Sequence, residues 1–419
     1  MNGIARSLGV WRGTAVMLNI VLGAGLLILP GLAIREGGQG ALAAWLIAAA
    51  AALPLLAVFV VLGKRHADAG GVAGLAKRAF GPLGHLVASM LFLGAVCVGL
   101  PAIALTAGHY AVSVAGGSVH AWAALLVMVV FAVNACSVKL AGTISQGLSW
   151  SIGIFVAGLA AVCGWLVWDL PAPRLAWPWQ GTEGMTTPLA LFPMVFFAFT
   201  GWEVAASLAE DFHQSHRDFP RAMVASFVIA VSFYLLMAYI AQRADLDAGL
   251  EAPFATIVGA HLGPIGARLV GTMACVLLFA NLLGATWAIS RMVFSLARER
   301  ILPAALGRLH GEQPRVALTA FTCVVILVIA LDYAGVLDSR TAFALSGQNF
   351  FLIYGIVAAS LLKMATGTPE RCLAVIAIAV VVSLSAAQAG SLAYPAAITV
   401  AALAMQWIRS RRVAPMVDR

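Results

Sequence analysis

The chain has 419 residues, of which 62% are hydrophobic and only 10% charged, with a mean hydropathy of +0.98. That leaves too little polar surface to cover a water-soluble globule, so the expected class is an all-α polytopic membrane protein. The net charge of +8 does not point to nucleic acid, because the basic residues fall in short clusters between apolar runs, as membrane orientation requires.

Arg6 and Arg12 precede the first apolar run, a pattern shared with signal peptides. The run continues to about Ile34 without a small-residue cleavage site and many others follow, so it reads as a first transmembrane span. At roughly 20 apolar residues per crossing, the chain divides into twelve spans, at about 12–35, 40–63, 84–114, 119–138, 143–168, 188–210, 222–243, 265–297, 316–333, 341–363, 372–390 and 392–408. The third and eighth exceed one crossing and are expected to tilt. With the N-terminus cytoplasmic, nineteen Lys and Arg residues fall inside and five (Arg35, Arg174, Arg243, Arg268, Arg340) outside, with Arg291 within a span. This asymmetry and the even count place both termini inside. Residues 1–419 read as one transmembrane domain, and the loops 169–187 and 244–264 as short surface connectors.

Two spans are chemically unusual. Within Asn19–Pro30, Gly23 and Gly25 interrupt an apolar run and let the backbone leave helical geometry at little steric cost. The sixth span carries Phe199-Thr200-Gly201-Trp202-Glu203, a glycine, an indole and a carboxyl at mid-depth. Unwound backbone at that depth is tolerated only when buried in protein or lining a cavity. The two centres lie about 177 residues apart, and the pairs third with eighth and fifth with tenth roughly 180 to 195. That spacing suggests a five-plus-five arrangement of two repeats, about 12–168 and 188–363, followed by two further helices at 372–408. Hydropathy spacing alone carries the repeat, with no self-similarity at the level of residues.

Gly23-Ala24-Gly25 with Pro30, Gly201-Trp202-Glu203, Asp218-Phe219-Pro220-Arg221-Ala222, and Ser290-Arg291 leading to Ala297-Arg298-Glu299-Arg300-Ile301-Leu302-Pro303 together resemble the amino acid–polyamine–organocation (APC) transporter superfamily. Gly70-Gly71-Val72-Ala73 and Val98-Gly99-Leu100-Pro101-Ala102 add to the likeness, which is greatest for the bacterial methionine and branched-chain amino acid exporters. The resemblance covers essentially the whole chain. It implies the LeuT-like inverted repeat with the first and sixth helices unwound at a central site, and alternating access by movement of a helix bundle against a scaffold.

An amino acid needs donors for its carboxylate and acceptors for its ammonium in a dry place. Broken helices provide both from backbone, N–H groups at one end and carbonyls at the other. The expected carboxylate site is formed by Gly23, Ala24 and Gly25, and the ammonium site by carbonyls near Ile20, Val21 and Phe199 to Gly201. Glycines in a span also serve close helix packing; the matching break in the sixth span and the resemblance favour a site. Glu203, the one carboxylate placed mid-membrane, is costly there unless paired, protonated or facing water. Two roles fit it, a latch for the sixth-helix break or a group whose protonation is coupled to transport. Trp202 resembles the aromatic gates found at this position in the superfamily, whereas Phe196, Phe197 and Phe199 fit packing or lipid contact at least as well.

In relatives coupled to sodium, hydroxyls and carbonyls of the eighth helix face the first, which would assign Thr286 and Ser290; some proton-coupled relatives use a fifth-helix lysine, and residues 143–168 contain none. Ser290 and Thr286 equally fit bonds to their own helix carbonyls, and Arg291 fits the cytoplasmic gate or a snorkelling cation. In the tenth span Ser346, Gln348, Asn349 and Tyr354 fit either the outer pathway or bonds between helices. His66 and His85 in inner loops, and His109 and His120 near outer ends, read as surface or interfacial side chains. The six cysteines are scattered singly and read as small buried hydrophobes. No cofactor or metal is expected.

A membrane enzyme would need catalytic groups converging within the spans, and none are seen. A sensor would append an output domain, and only about ten residues follow Arg409. A pore would leave the paired breaks unexplained. The expected function is therefore secondary transport of neutral, mainly apolar amino acids, with no second acidic residue beside Glu203 to take a cationic side chain. Subfamily resemblance implies export, by proton antiport or with sodium; import or exchange is the alternative, and monomer or homodimer is left open. The resemblance places it in a bacterial inner membrane.

Overall fold

A computed structural model describes residues 8–66, 71–136, 153–173, 187–244, 246–310, 313–388 and 392–413. Among these the chain is helical, and its β pairing is limited to the isolated bridges Leu8–Phe212 and His310–Gln313. The helices are α1 (Val10–Val21), α2 (Ala24–Gly37), α3 (Ala41–Arg65), α4 (Gly71–Ala115), α5 (Val119–Cys136), α6 (Gly153–Leu166), α7 (Pro188–Phe196), α8 (Trp202–Ala205), α9 (Ser215–Arg243), α10 (Pro253–Arg298), α11 (Arg315–Tyr333), α12 (Ser339–Met364), α13 (Thr368–Ala386) and α14 (Ala393–Val413). Nine helical stretches among the described residues are long and apolar enough to cross a membrane. Ala24–Arg65 is one of them although it holds both α2 and α3, while α1 and α6 are shorter. The start of the expected span 143–168 and most of the loop 169–187 lie outside the described residues.

Helices dominate because only they satisfy every backbone group within a single apolar segment. Their starts carry local signals. Thr187 caps α7, accepting from the Ala190 N–H, with Pro188 at the first helical position where its missing N–H costs nothing. Asp338 caps α12 by accepting from the Thr341 N–H at 2.9 Å.

The two longest helices, α4 with 45 residues and α10 with 46, are each divided by one glycine. Gly81 has φ 72° and ψ −157°, Gly263 φ 70° and ψ −172°, and each is followed by proline. Positive φ admits glycine readily, and the proline removes a ladder hydrogen bond just beyond. The two joints read Gly-Pro-Leu-Gly and Gly-Pro-Ile-Gly and lie roughly 180 residues apart, the separation expected of repeats. This is a residue-level likeness between two stretches of the chain that hydropathy spacing passed over.

α4 packs against α10, α12 and α14, α12 against α7 and α13, and α9 against α1 and α3. The interrupted segments α1–α2 and α7–α8 thereby lie inside the bundle, and Leu26 to Leu29 are fully buried. α13 and α14 expose Val375, Ile376, Val382, Val400, Leu403 and Trp407, side chains that lipid tails solvate well.

Candidate functional site

Between α1 and α2 the helix is lost at Leu22 (φ −74°, ψ 96°) and Gly23 (φ −141°, ψ −141°). The Gly23 carbonyl accepts from Leu26 N–H at 3.1 Å, whereas the N–H groups of Gly23, Ala24 and Gly25 have no backbone acceptor among the described residues. These are the unmet donors of a helix N-terminus. On the other side of the break, the Val21 carbonyl accepts from the buried Tyr234 hydroxyl at 2.7 Å. Tyr234→Phe leaves that carbonyl unmet and is expected to lower stability by about 1 kcal/mol, read as a lower midpoint of thermal unfolding in detergent micelles.

The second break is longer. α7 tightens into a 3₁₀ turn at Phe197–Phe199, Thr200 is extended and Gly201 takes φ 108° before α8 restarts at Trp202. The Thr200 hydroxyl closes the turn by donating to the Phe197 carbonyl at 2.7 Å. Glu203, 4% exposed, folds back so that its carboxylate oxygens accept from the Gly201 N–H at 3.0 and 2.8 Å, and one of them also accepts from the Tyr354 hydroxyl at 2.6 Å. A buried carboxyl thus satisfies the donor that unwinding releases and ties α8 to α12.

A cavity of about 840 Å³ lies between the breaks and extends to the protein surface at Glu299. It is lined by Ile20, Val21, Gly23, Ala24 and Gly25 on one side and by Thr200, Gly201 and Glu203 on the other. Val96, Leu100, Ile103, Phe92, Phe197 and Phe350 form an apolar wall. Its size is that of small-molecule sites. The opposite end of α2 is fastened by ion pairs: Arg35 meets Glu251 at 2.7 Å and Glu36 at 3.4 Å, and Arg340 meets Glu36 at 3.0 Å.

Five of the residues singled out from sequence do not line this cavity. Phe199 is held between Trp45 and Tyr234, with ring centroids 6.0 and 5.3 Å away. Trp202 is buried against Phe227 at 5.7 Å, on the far side of α8. Ser290 bonds back to the Trp287 carbonyl at 2.8 Å, and Arg291 stacks 4.6 Å over the Trp287 ring. Both face a smaller recess with Asn134, Gln313 and Arg315. Thr286 turns toward α5 and α11, beside Val127 and Thr322.

Other residues take their places. His85 is not a surface histidine of an inner loop: it sits on α4 just beyond the Gly81 joint, lines the cavity, and has its Nε2 2.8 Å from a Glu299 carboxylate oxygen and its Nδ1 3.3 Å from the Ala73 carbonyl. Tyr354 serves Glu203 rather than an outer pathway. Among the described residues no group of three or more His, Cys, Asp or Glu side chains is placed to hold a metal ion.

A family model described as amino acid permease matches residues 8–408. The chain is 28% identical over 388 residues to the L-methionine/branched-chain amino acid exporter YjeH of Escherichia coli, covering 90% of each chain. It is 26% identical over 369 residues to the uncharacterized amino acid permease YecA of Bacillus subtilis, covering 86% of each. The putrescine transporter PotE of Escherichia coli is 24% identical over 314 residues, covering 73% of this chain and 71% of its own length. The molecule is accordingly a transporter and not an enzyme, and it belongs to the amino acid permease family of the APC superfamily.

Proposed function

We propose that this protein is a secondary active transporter of neutral, mainly apolar amino acids of the methionine, leucine, isoleucine and valine class, working by alternating access. The observation that carries the reading is the cavity bounded by two glycine-centred helix breaks, with three N–H groups at the first that have no backbone acceptor among the described residues. An amino acid's carboxylate fits those donors, its ammonium fits carbonyls of Ile20, Val21 and the sixth-span break, and its side chain fits the wall of Val96, Leu100 and Phe350. Glu203 has its oxygens engaged by Gly201 and Tyr354, and Glu299 lies at the far mouth, so a cationic side chain finds no free central carboxylate.

Counting α1–α2 and α7–α8 as one span each, α1 to α14 make twelve, and the paired Gly-Pro joints support the five-plus-five inverted repeat. A cavity open at one end and ion pairs at the other fit one state of an alternating cycle. Proton antiport is favoured over sodium, since Thr286 and Ser290 turn away from the α1–α2 break and hard cations need converging oxygens. Export from the cytoplasm of a bacterial cell, across its inner membrane with both termini inside, is supported by the likeness to the Escherichia coli exporter.

Counterflow in proteoliposomes tests this. Radiolabelled methionine, leucine, isoleucine and valine are expected to exchange, arginine and glutamate not, with a proton gradient and not a sodium gradient driving net flux. Absence of exchange for every neutral amino acid overturns the reading; fast exchange with no response to either gradient converts it to an exchanger.

A further inference from the structure

Asn281 lies on α10 and lines the cavity opposite the α1–α2 break. Its amide nitrogen is 3.0 Å, and its amide oxygen 3.5 Å, from the point where a Cβ on Gly23 would stand. The amide therefore occupies the space that the absent side chain of Gly23 leaves open. Neither of its polar atoms has a hydrogen-bond partner among the described residues, and the side chain is part-buried at the cavity wall, so both are available to a ligand. Beside Asn281 on α10, the cavity-lining Ala280, Gly284 and Ala285 carry no hydrogen-bonding side chain; Trp287 lies further along the same helix.

We propose that Asn281 determines substrate specificity by reading the carboxylate, its amide nitrogen donating to one oxygen while the N–H groups of the α1–α2 break hold the other. The inference rests on the amino acid transport reading and deepens it. The amide stands against Gly23, where the backbone N–H groups and the positive end of α2 gather; with no partner to fix its orientation, it can turn its nitrogen to an anion held there. A free carboxylate is then a requirement for transport. Analogues that keep the side chain and ammonium but lack the carboxylate, such as leucinamide and 3-methylbutylamine, leave this donor set unmatched and bind poorly.

The test is leucine counterflow in proteoliposomes with leucinamide and 3-methylbutylamine as competitors, in wild type, Asn281→Ala and Asn281→Asp. Asn281→Ala is expected to raise KM for leucine about tenfold with a smaller change in kcat. Asn281→Asp keeps the shape but sets a carboxylate against a carboxylate: leucine flux is expected to fall about a hundredfold while competition by the two cations strengthens relative to leucine by about tenfold. Thermal unfolding and size exclusion check that each variant is folded. If Asn281→Asp does not fold, the competition ratio in Asn281→Ala decides, a ratio that moves toward the cations supporting the proposal. An unchanged ratio in the folded variants, or a wild-type KM in Asn281→Ala, overturns it. Wild-type protein that exchanges no neutral amino acid defeats instead the transport reading on which it rests.

Discussion

Replacing Gly25 with valine is expected to abolish transport of every substrate, lowering counterflow at least about a hundredfold. A Cβ at this position would lie 2.9 Å from the Ala198 Cα and 3.0 Å from its Cβ. Those atoms belong to the 3₁₀ turn of the second break, so no flexible side chain can yield and the two unwound segments must separate. Overpacking costs about 1–3 kcal/mol in stability, but the loss in flux is greater because a displacement of even 1 Å spoils the geometry of a site. In the proposed binding mode Gly25 faces the part common to all amino acids, so Gly25→Ala should depress methionine, leucine and valine flux alike. Counterflow of the three through folded protein checks this; a loss confined to one of them would place Gly25 against the substrate side chain instead.

Glu203→Ala is expected to have the next largest effect. It strips the Gly201 N–H and the Tyr354 hydroxyl of their acceptor, and a buried polar group left unmet costs about 1–3 kcal/mol. The α8 restart then loses its tie to α12, and both the unfolding midpoint and transport should fall sharply. Glu203→Gln keeps one acceptor oxygen and nearly the same shape; under the latch role it should retain flux within about tenfold. Flux measured across external pH separates the roles. If folded Glu203→Gln loses the pH-dependent component altogether, the carboxyl carries the coupled proton and the latch role is secondary.

Both breaks were legible in the sequence because the glycine interruptions come as a pair in the first and sixth spans, and Glu203 because a carboxyl at mid-depth is costly. The partners of these groups were not. Tyr354 is 151 residues from Glu203 and Glu299 is 214 from His85, and nothing local marks which of six tyrosines or eight histidines will meet which carboxylate. The orientation of Trp202 and Phe199 was hidden for a different reason. An unwound segment has no 3.6-residue period, so counting from a neighbouring helical turn assigns a side chain to the wrong face. Ser290, Arg291 and Asn281 stand on α10, where apolar residues occupy all sides and no stripe distinguishes the face toward α1. Aromatic residues do line the cavity, but they are Phe92, Phe197, Trp287 and Phe350 rather than Phe199 and Trp202.

The Gly-Pro joints of α4 and α10 have a mechanical consequence. At Gly81-Pro82 and Gly263-Pro264 the residue after the glycine has its φ locked by the pyrrolidine ring, which also restricts the glycine before it. Each long helix is in effect an angle bracket, a short arm held stiffly to its span. Gly23-Ala24 and Gly201-Trp202 carry no such brace, and few backbone hydrogen bonds cross them. The molecule thus has two kinds of glycine corner, welded ones in the frame and hinged ones at the cavity, and bending strain applied to the bundle will flow to the hinges.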